Sequence, residues 1–343
     1  MIVTTIAQFS PTAPVLPAKL TRKRDGMLKN GTTGNSDTQT IVLSDQVTSC
    51  PLCGNTDRER FYQGEHLGVS IRYWLCKTCG FVYQSPRMTE AELNSFYAMQ
   101  YRKMYLGQAE PTSHDIRIQA QRASHLAITV CEDDTLSPEY HLDIGCGSGA
   151  LLEAMQEICG CQSEGIEPST AYRSYATDKD LTIYSSLDEW KASSKVCPDL
   201  VTMSHVLEHL MDPVAYLSDL RQHVLKPRGY LLIEVPNLYV HKSFELAHNF
   251  AFSPSVLREI VRKVGFRVVL LKKHGVPLKK SPLYLTLLAQ SMSDPLPLYE
   301  LRSNARGVKA FRKAGQFLVK LEWFFGKLVG RARRHLGKSS MQF

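Results

Sequence analysis

No run of apolar side chains in this 343-residue sequence approaches the roughly 18 that a membrane-spanning helix needs. The N-terminus lacks the basic, apolar, small-residue order of a secretory signal, so the expected location is cytoplasmic. No internal repeat is visible. Acidic residues are scarce in one place: from Leu301 to Phe343 only Glu322 opposes eleven Lys or Arg, which gives the tail about +10 and the remainder about −2 of a formal +8. A basic balance that could signal nucleic acid therefore belongs to the tail alone. Disulfides are not expected, because the cytosol is reducing. Four of the nine cysteines sit at metal-ligand spacing, and the other five read as ordinary thiols.

The length is a soft prior for two domains, and 43% hydrophobic residues suffice for a full α/β core. Residues 1–45 mix Pro, Thr, Ser and Gly without apolar periodicity and are expected to be a disordered leader. A cysteine-bearing segment follows at 46–86. Residues 87–139 form a helical bridge, in which Leu93, Phe96, Tyr97, Tyr101 and Tyr105 recur at helical intervals. From 140 to 295 short apolar runs alternate with amphipathic stretches, which predicts parallel strands joined by crossover helices. Expected strands are Tyr140–Ile144, Ser163–Ile166, Asp199–Met203 and Tyr230–Val235, with Phe266–Leu271 and Tyr284–Ala289 as a closing pair. Between them Ser253 caps a helix that Pro254 opens and Gly265 stops. Residues 296–343 make a basic tail with a helical aromatic pattern.

His141-Leu-Asp-Ile-Gly-Cys-Gly-Ser-Gly149 ends a strand in a turn with glycine at alternate positions, and a helix opens straight after it. Such a turn lets a ligand approach the backbone without a Cβ in the way. About twenty residues on, Glu167 ends the next strand, where a carboxylate can hold a ribose diol. The spacing lacks the third glycine that a dinucleotide pyrophosphate uses, which favours adenosylmethionine over a nicotinamide dinucleotide. Two later stretches complete the pattern, Asp199-Leu-Val-Thr-Met-Ser-His-Val-Leu-Glu-His209 and Lys226-Pro-Arg-Gly-Tyr-Leu-Leu-Ile-Glu-Val-Pro-Asn237.

In these four motifs, taken in order, the chain resembles class I S-adenosylmethionine-dependent methyltransferases over roughly Tyr140–Ala289. The resemblance implies an α/β, Rossmann-like fold with a seven-stranded, mostly parallel sheet. It implies that Asp143, Gly145, Gly147 and Gly149 surround the methionine part of the cofactor, that Glu167 binds the ribose, and that Ser186 and Leu187 lie near the adenine.

Cys50-Pro-Leu-Cys53 and Cys76-Lys-Thr-Cys79 are two C-x-x-C knuckles, 22 residues apart, and can bring four thiolates to one tetrahedral Zn2+. Four thiolates leave no open position for water, so the ion is expected to be structural. Together with Phe81-Val-Tyr83, Pro86 and the tyrosine-bearing bridge, the knuckles resemble those of bacterial sugar C-methyltransferases, in which a zinc segment and bridge cover the active site. That resemblance makes Tyr97 and Tyr101 acceptor contacts and implies a sugar-derived or glycan acceptor.

Methylation of oxygen or carbon requires loss of a proton, so a base is expected near the cofactor. His205, just past the fourth strand of the catalytic domain, and His248, where the sugar C-methyltransferases carry a histidine, are the two candidates. Those enzymes tend to have glutamate beside that histidine, whereas Ala247 stands here; this departs from the C-methylation pattern, and a lone histidine suffices for O-methylation, so O- and C-methylation both stay open. Glu208 and His209 are expected to be structural, on a helix following the strand. His205-Val-Leu-Glu-His209 also matches the H-x-x-E-H of an inverted zinc protease. Two further readings are an RNA methyltransferase that uses the knuckles and basic tail, and a non-catalytic binding protein. From Val308 to His335 aromatics alternate with Lys and Arg. That pattern suits a helix on an anionic membrane surface, at the inner face, or one docked on its own domain.

Overall fold

The computed structural model describes residues 41–339 apart from 100–107, 109, 133–135, 194–195, 278–280, 295 and 297–298. Nearly all of the expected leader, and Tyr101 and Tyr105 of the bridge, lie outside the described residues.

The first elements belong to the cysteine segment. The strands β1 (Arg58–His66) and β2 (Val69–Cys76) form an antiparallel hairpin. Leu67 and Gly68, both at positive φ, make its two-residue turn, the geometry whose twist suits a hairpin. A third strand, β3 (Val82–Gln84), pairs with β2. The bridge supplies α1 (Glu90–Met99) and α2 (Ser113–Cys131), the second opened by a reciprocal capping box between Thr112 and Asp115.

The alternating segment follows as β4 (Tyr140–Ile144), α3 (Ala150–Cys159), β5 (Gln162–Ile166), α4 (Thr170–Thr177), β6 (Ile183–Tyr184), α5 (Leu187–Ser193) and β7 (Leu200–Ser204). Then come α6 (Pro213–Asp219), whose last turn relaxes into a π-helical stretch at Leu220–Val224, and β8 (Tyr230–Pro236). The series ends with β9 (Phe250–Ala251), α7 (Pro254–Lys263), β10 (Phe266–His274), β11 (Tyr284–Ser291) and α8 (Val308–Ser339). Seven strands lie in the order β10-β11-β8-β7-β4-β5-β6. The five from β8 to β6 are parallel, and β11 runs antiparallel to both its neighbours. This is the expected Rossmann-like methyltransferase fold. The near-continuous apolar strands are explained by burial on both faces: every residue of β4 is buried.

The sheet runs outward in both directions from β4, with β5 on one side and β7 on the other. Successive connections leave for opposite faces there, and a crevice opens at the carboxyl ends of the strands. That crevice is where the glycine turn, Glu167 and His205 come together.

The cysteine segment shares a sheet with the rest of the chain. Its order is β1-β2-β3-β9, and β9 comes from the loop just after His248. Phe81 stacks on Phe250 at 5.2 Å between centroids. Tyr73, fully buried, donates its hydroxyl to the carbonyls of Glu245 (2.8 Å) and His248.

One expectation changes here. Cys131 and Cys159, at the ends of the packed helices α2 and α3, form a disulfide rather than standing as free thiols, because that packing brings their Cα atoms to 6.1 Å. The tail is helical over Val308–Ser339, and the first half of that helix docks on its own domain, one of the two arrangements expected for it. Val308 and Val319 are buried there, Arg312 lies over the Phe244 ring at 4.5 Å, and Lys309 pairs with Glu59 at 2.7 Å. Phe311, Phe317, Leu318 and Phe324 remain exposed. Among the described residues no helix is long and apolar enough to cross a membrane.

Candidate active site

The glycine turn is built by backbone geometry. Gly145 and Gly147 have φ of 76° and 56°, and a Cβ would meet Val206 at 2.5 Å in the first case and Gln119 at 2.6 Å in the second. Glycine is required at both on conformation and on space. Glu167, 4% exposed at the end of β5, accepts from the Gly147 amide at 2.9 Å and from the Ser169 amide at 2.8 Å. Asp143, at the end of β4, accepts from Thr202 Oγ1 at 2.6 Å. Burial, only partly offset by that hydrogen bond, and the charge of Glu167 push its carboxyl up to about 7.

These residues line one end of a cleft of about 1010 Å³, which also reaches Ser186, Arg122, Tyr97, His205, His209, His248, Glu245 and Tyr284. The other end is made by two segments distant in sequence. After β7 the chain turns, with His205 at φ +57°, and α6 starts only at Pro213, capped by Asp212. Against this turn lies the 241–252 loop. Asn249 donates its side-chain amide to the carbonyls of His209 (3.0 Å) and Leu210 (3.1 Å), and the Phe250 amide donates to the Glu208 carbonyl (3.1 Å). The His209 and His248 rings meet edge to face at 4.7 Å. Tyr97, from α1, places its hydroxyl 2.5 Å from His209 Nδ1.

The three histidines differ in electrostatic surroundings. His205 sits between Glu208 (Nδ1 to Oε1, 3.3 Å) and Glu234 (Nε2 to Oε1, 3.2 Å). Burial and Arg122 oppose its positive charge, but the two carboxylates outweigh them and hold it above the ordinary histidine range. Burial brings His209 down to about 4, helped by His248. Burial likewise brings His248 down to about 4. Burial alone would raise Glu208, yet its proximity to His205 and to the other surrounding imidazoles brings it down to about 2. At neutral pH the far end thus holds two neutral imidazoles and a carboxylate, beside a histidine that its two carboxylate neighbours bias towards the charged form.

The four cysteines form a second cluster. Cys50 and Cys79 Sγ are 3.5 Å apart, Cys53 and Cys76 Sγ 3.6 Å, and all four lie within 4.8 Å of one another. Four thiolates at about 2.3 Å from one tetrahedral Zn2+ would be separated by about 3.8 Å, so the donor set fits that ion.

Of the other residues expected at the site, Gly149 and Leu187 stand apart from this cleft. Gly149 is the N-cap of α3 and faces Leu181, where a Cβ would come within 2.3 Å. Leu187 opens α5 and packs on the core. Tyr101 lies outside the described residues. The H-x-x-E-H match to a zinc protease fails, because that motif needs its two histidines on one helical face, and here they lie in a turn with His205 held by carboxylates. For the same reason Glu208 and His209 are not on a following helix; His209 lines the cleft wall, and Glu208 is buried beside it. Arg122 and Tyr284 had no motif to mark them: Arg122 projects from α2, pairs with Glu234 at 2.7 Å and lies 5.1 Å from the Tyr284 ring.

Residues 117–271 match a sequence family described as a methyltransferase domain. Among curated proteins the chain is similar to ubiquinone biosynthesis O-methyltransferases. One, from Actinobacillus pleuropneumoniae, is 32% identical over 107 residues, covering 28% of this chain and 45% of the relative. Another, from Cereibacter sphaeroides, is 30% identical over 147 residues, covering 36% of this chain and 58% of the relative. The chain thus spans about half the length of the curated relatives it matches. Among solved structures it is similar to magnesium protoporphyrin IX methyltransferase from Synechocystis with bound S-adenosylmethionine. That match has 17% identity and a TM-score of 0.43, and covers 59% of this chain and 96% of that one.

Proposed function

We propose that this chain is an S-adenosylmethionine-dependent methyltransferase that methylates a hydroxyl oxygen of a small acceptor. One observation carries the reading. At the switch point of a methyltransferase sheet, Glu167 is joined to the Gly147 amide at 2.9 Å, in a cleft whose far end holds neutral imidazoles. Gly145 and Gly147 let the methionine part lie on the backbone, Asp143 faces its ammonium, and Glu167 can exchange its amide bonds for ribose hydroxyls. When bound, the cofactor supplies an electrophilic methyl on a sulfonium. The acceptor oxygen forms a bond to that carbon, the carbon–sulfur pair leaves with sulfur, and the hydroxyl proton goes to a base.

We assign the base to His248, which is neutral at physiological pH and lines the cleft. His205 lies between two carboxylates, 3.3 Å from Glu208 and 3.2 Å from Glu234, and is better placed to set them than to face an acceptor hydroxyl. Tyr97 bounds the acceptor space. Oxygen is favoured because the curated relatives are named O-methyltransferases and because Ala247 stands where the sugar C-methyltransferases tend to have glutamate. These relatives do not favour RNA as the substrate. A sugar-derived or glycan acceptor is the finer reading, supported by the sequence resemblance and by polar side chains such as Asn94 and Glu245 among the residues that line the cleft. The exposed Phe311, Phe317 and Leu318 among basic residues support peripheral contact of the tail with anionic lipid. Cys50, Cys53, Cys76 and Cys79 would hold a structural Zn2+, which through β9 and Tyr73 steadies the His248 loop.

The test is transfer of labelled methyl from the cofactor to a panel of dihydroxybenzenes, nucleotide sugars and glycans. Turnover on a hydroxyl acceptor, lowered at least 100-fold in His248→Ala with cofactor affinity unchanged, is expected. No transfer to any acceptor by protein that binds the cofactor would contradict it and favour a non-catalytic binding protein.

A further inference from the structure

We infer that Glu208, His209 and His248 form a second metal site, distinct from the four cysteines, which holds a divalent transition ion such as Mn2+ or Zn2+ at the acceptor end of the cleft. A carboxylate oxygen and one nitrogen from each histidine lie within 4.8 Å of one another. That is close to the separation of ligands around one ion at about 2.0–2.2 Å, and small side-chain rotations complete it. Two histidines and one carboxylate are a recurrent set for borderline divalent ions, and three protein ligands leave open positions for outside oxygen atoms.

A second, independent observation points to a cation. Glu208 is 1% exposed, and neither carboxylate oxygen has a hydrogen-bond partner. A buried carboxylate is costly unless something positive completes it. His205 Nδ1 stands 3.3 Å from one oxygen and contributes charge without an aligned hydrogen bond. The surrounding bonds suit ligation. His209 Nδ1 faces the Ala247 carbonyl at 2.9 Å and the Tyr97 hydroxyl at 2.5 Å; a carbonyl can only accept, so the tautomer that satisfies it carries the proton on Nδ1 and has Nε2 as its metal-binding nitrogen. His248 Nε2 has the Glu245 carboxylate at 3.6 Å, an outer partner of the kind that orients metal-bound imidazoles. Asn249, bonded to the carbonyls of His209 and Leu210, locks the two histidine-bearing segments together.

The inference rests on the proposed O-methylation and deepens it. The open positions would take the acceptor's hydroxyl, or two neighbouring hydroxyls as a chelate. Coordination lowers the pKa of a bound hydroxyl. Its proton then leaves to solvent, and the oxygen keeps the electron pair with which it attacks the methyl carbon; without an ion, His248 takes the proton itself.

The experiment titrates Mn2+ into full-length protein whose cysteines are loaded with Zn2+, following loss of the free-ion signal by electron paramagnetic resonance. One Mn2+ per chain is expected. Glu208→Gln and His209→Ala should each weaken it at least tenfold, with circular dichroism checking that they fold. His223→Ala, an exposed histidine away from the cleft, should leave it unchanged. Gly147→Arg should keep Mn2+ while losing the cofactor. Absence of Mn2+ binding by folded protein, or binding that survives both ligand variants, overturns the site. If Mn2+ is not bound while the cofactor still is, the ion falls and the methyltransferase reading stands. Mn2+ bound without any cofactor affinity supports the ion and removes that reading.

Discussion

The two ends of the cleft are made in different ways. The cofactor end comes from one β-turn-α-β stretch, Tyr140–Glu167, and depends on backbone shape: two glycines at positive φ and a carboxylate reached by the next strand. The acceptor end comes from a turn after β7, the 241–252 loop and the bridge helices, and depends on side chains meeting across long separations. It is braced from outside by the cysteine segment, whose sheet takes β9 from that same loop. Damage to the first end should abolish cofactor binding locally. Damage to the second should act through distant residues and spare the cofactor.

Gly147→Arg should have the largest effect. The left-handed backbone and the collision with Gln119 should remove measurable cofactor affinity while thermal unfolding stays cooperative; retained affinity would break the comparison at its firmest point. Cys76→Ser, or removal of zinc by a chelator, comes next. It should lower acceptor turnover by tenfold or more and destabilise the protein, with cofactor affinity changed by less than threefold, as read by parallel turnover and binding assays. An equal loss of both would show that the two ends are not separable.

Glu167→Ala removes charge-assisted hydrogen bonds of about 1.5–3 kcal/mol, so cofactor affinity should drop by about 10- to 100-fold. The pH dependence is smaller and belongs to the cofactor end. Asp143 lies near 7 in the free protein, and a cationic ligand favours its ionised form. Binding therefore releases a proton. Affinity should tighten as pH rises towards 7, level off above it, and weaken by up to about tenfold per unit below it. Tyr73→Phe should be mildest. Loss of its hydroxyl from the Glu245 and His248 carbonyls should cost about 1 kcal/mol of stability and lower kcat with cofactor affinity intact.

What could be read in the sequence follows the same division. Strand β4 falls on its expected residues, Tyr140–Ile144, and the Ser253 cap opens α7 as expected, because local turn chemistry and periodicity decide both. Strand β6, two residues long, leaves too short an apolar run to detect, and β9 is a strand only because β3 lies beside it. Glu208 and His209 were expected on a helix since periodicity cannot show a chain turning at a left-handed histidine. Arg122 reaches the cleft by helix packing, and no spacing in a single sequence encodes that. The five remaining cysteines read as thiols because the pairing of Cys131 with Cys159 depends on how α2 and α3 meet.

The most direct test of the account is calorimetric titration of the wild-type protein and Glu167→Ala with S-adenosylmethionine and its demethylated product. The account predicts one site that takes both ligands in the wild-type protein and is weakened at least tenfold in the variant. No heat of binding from folded wild-type protein, or equal affinities in the two proteins, would contradict it.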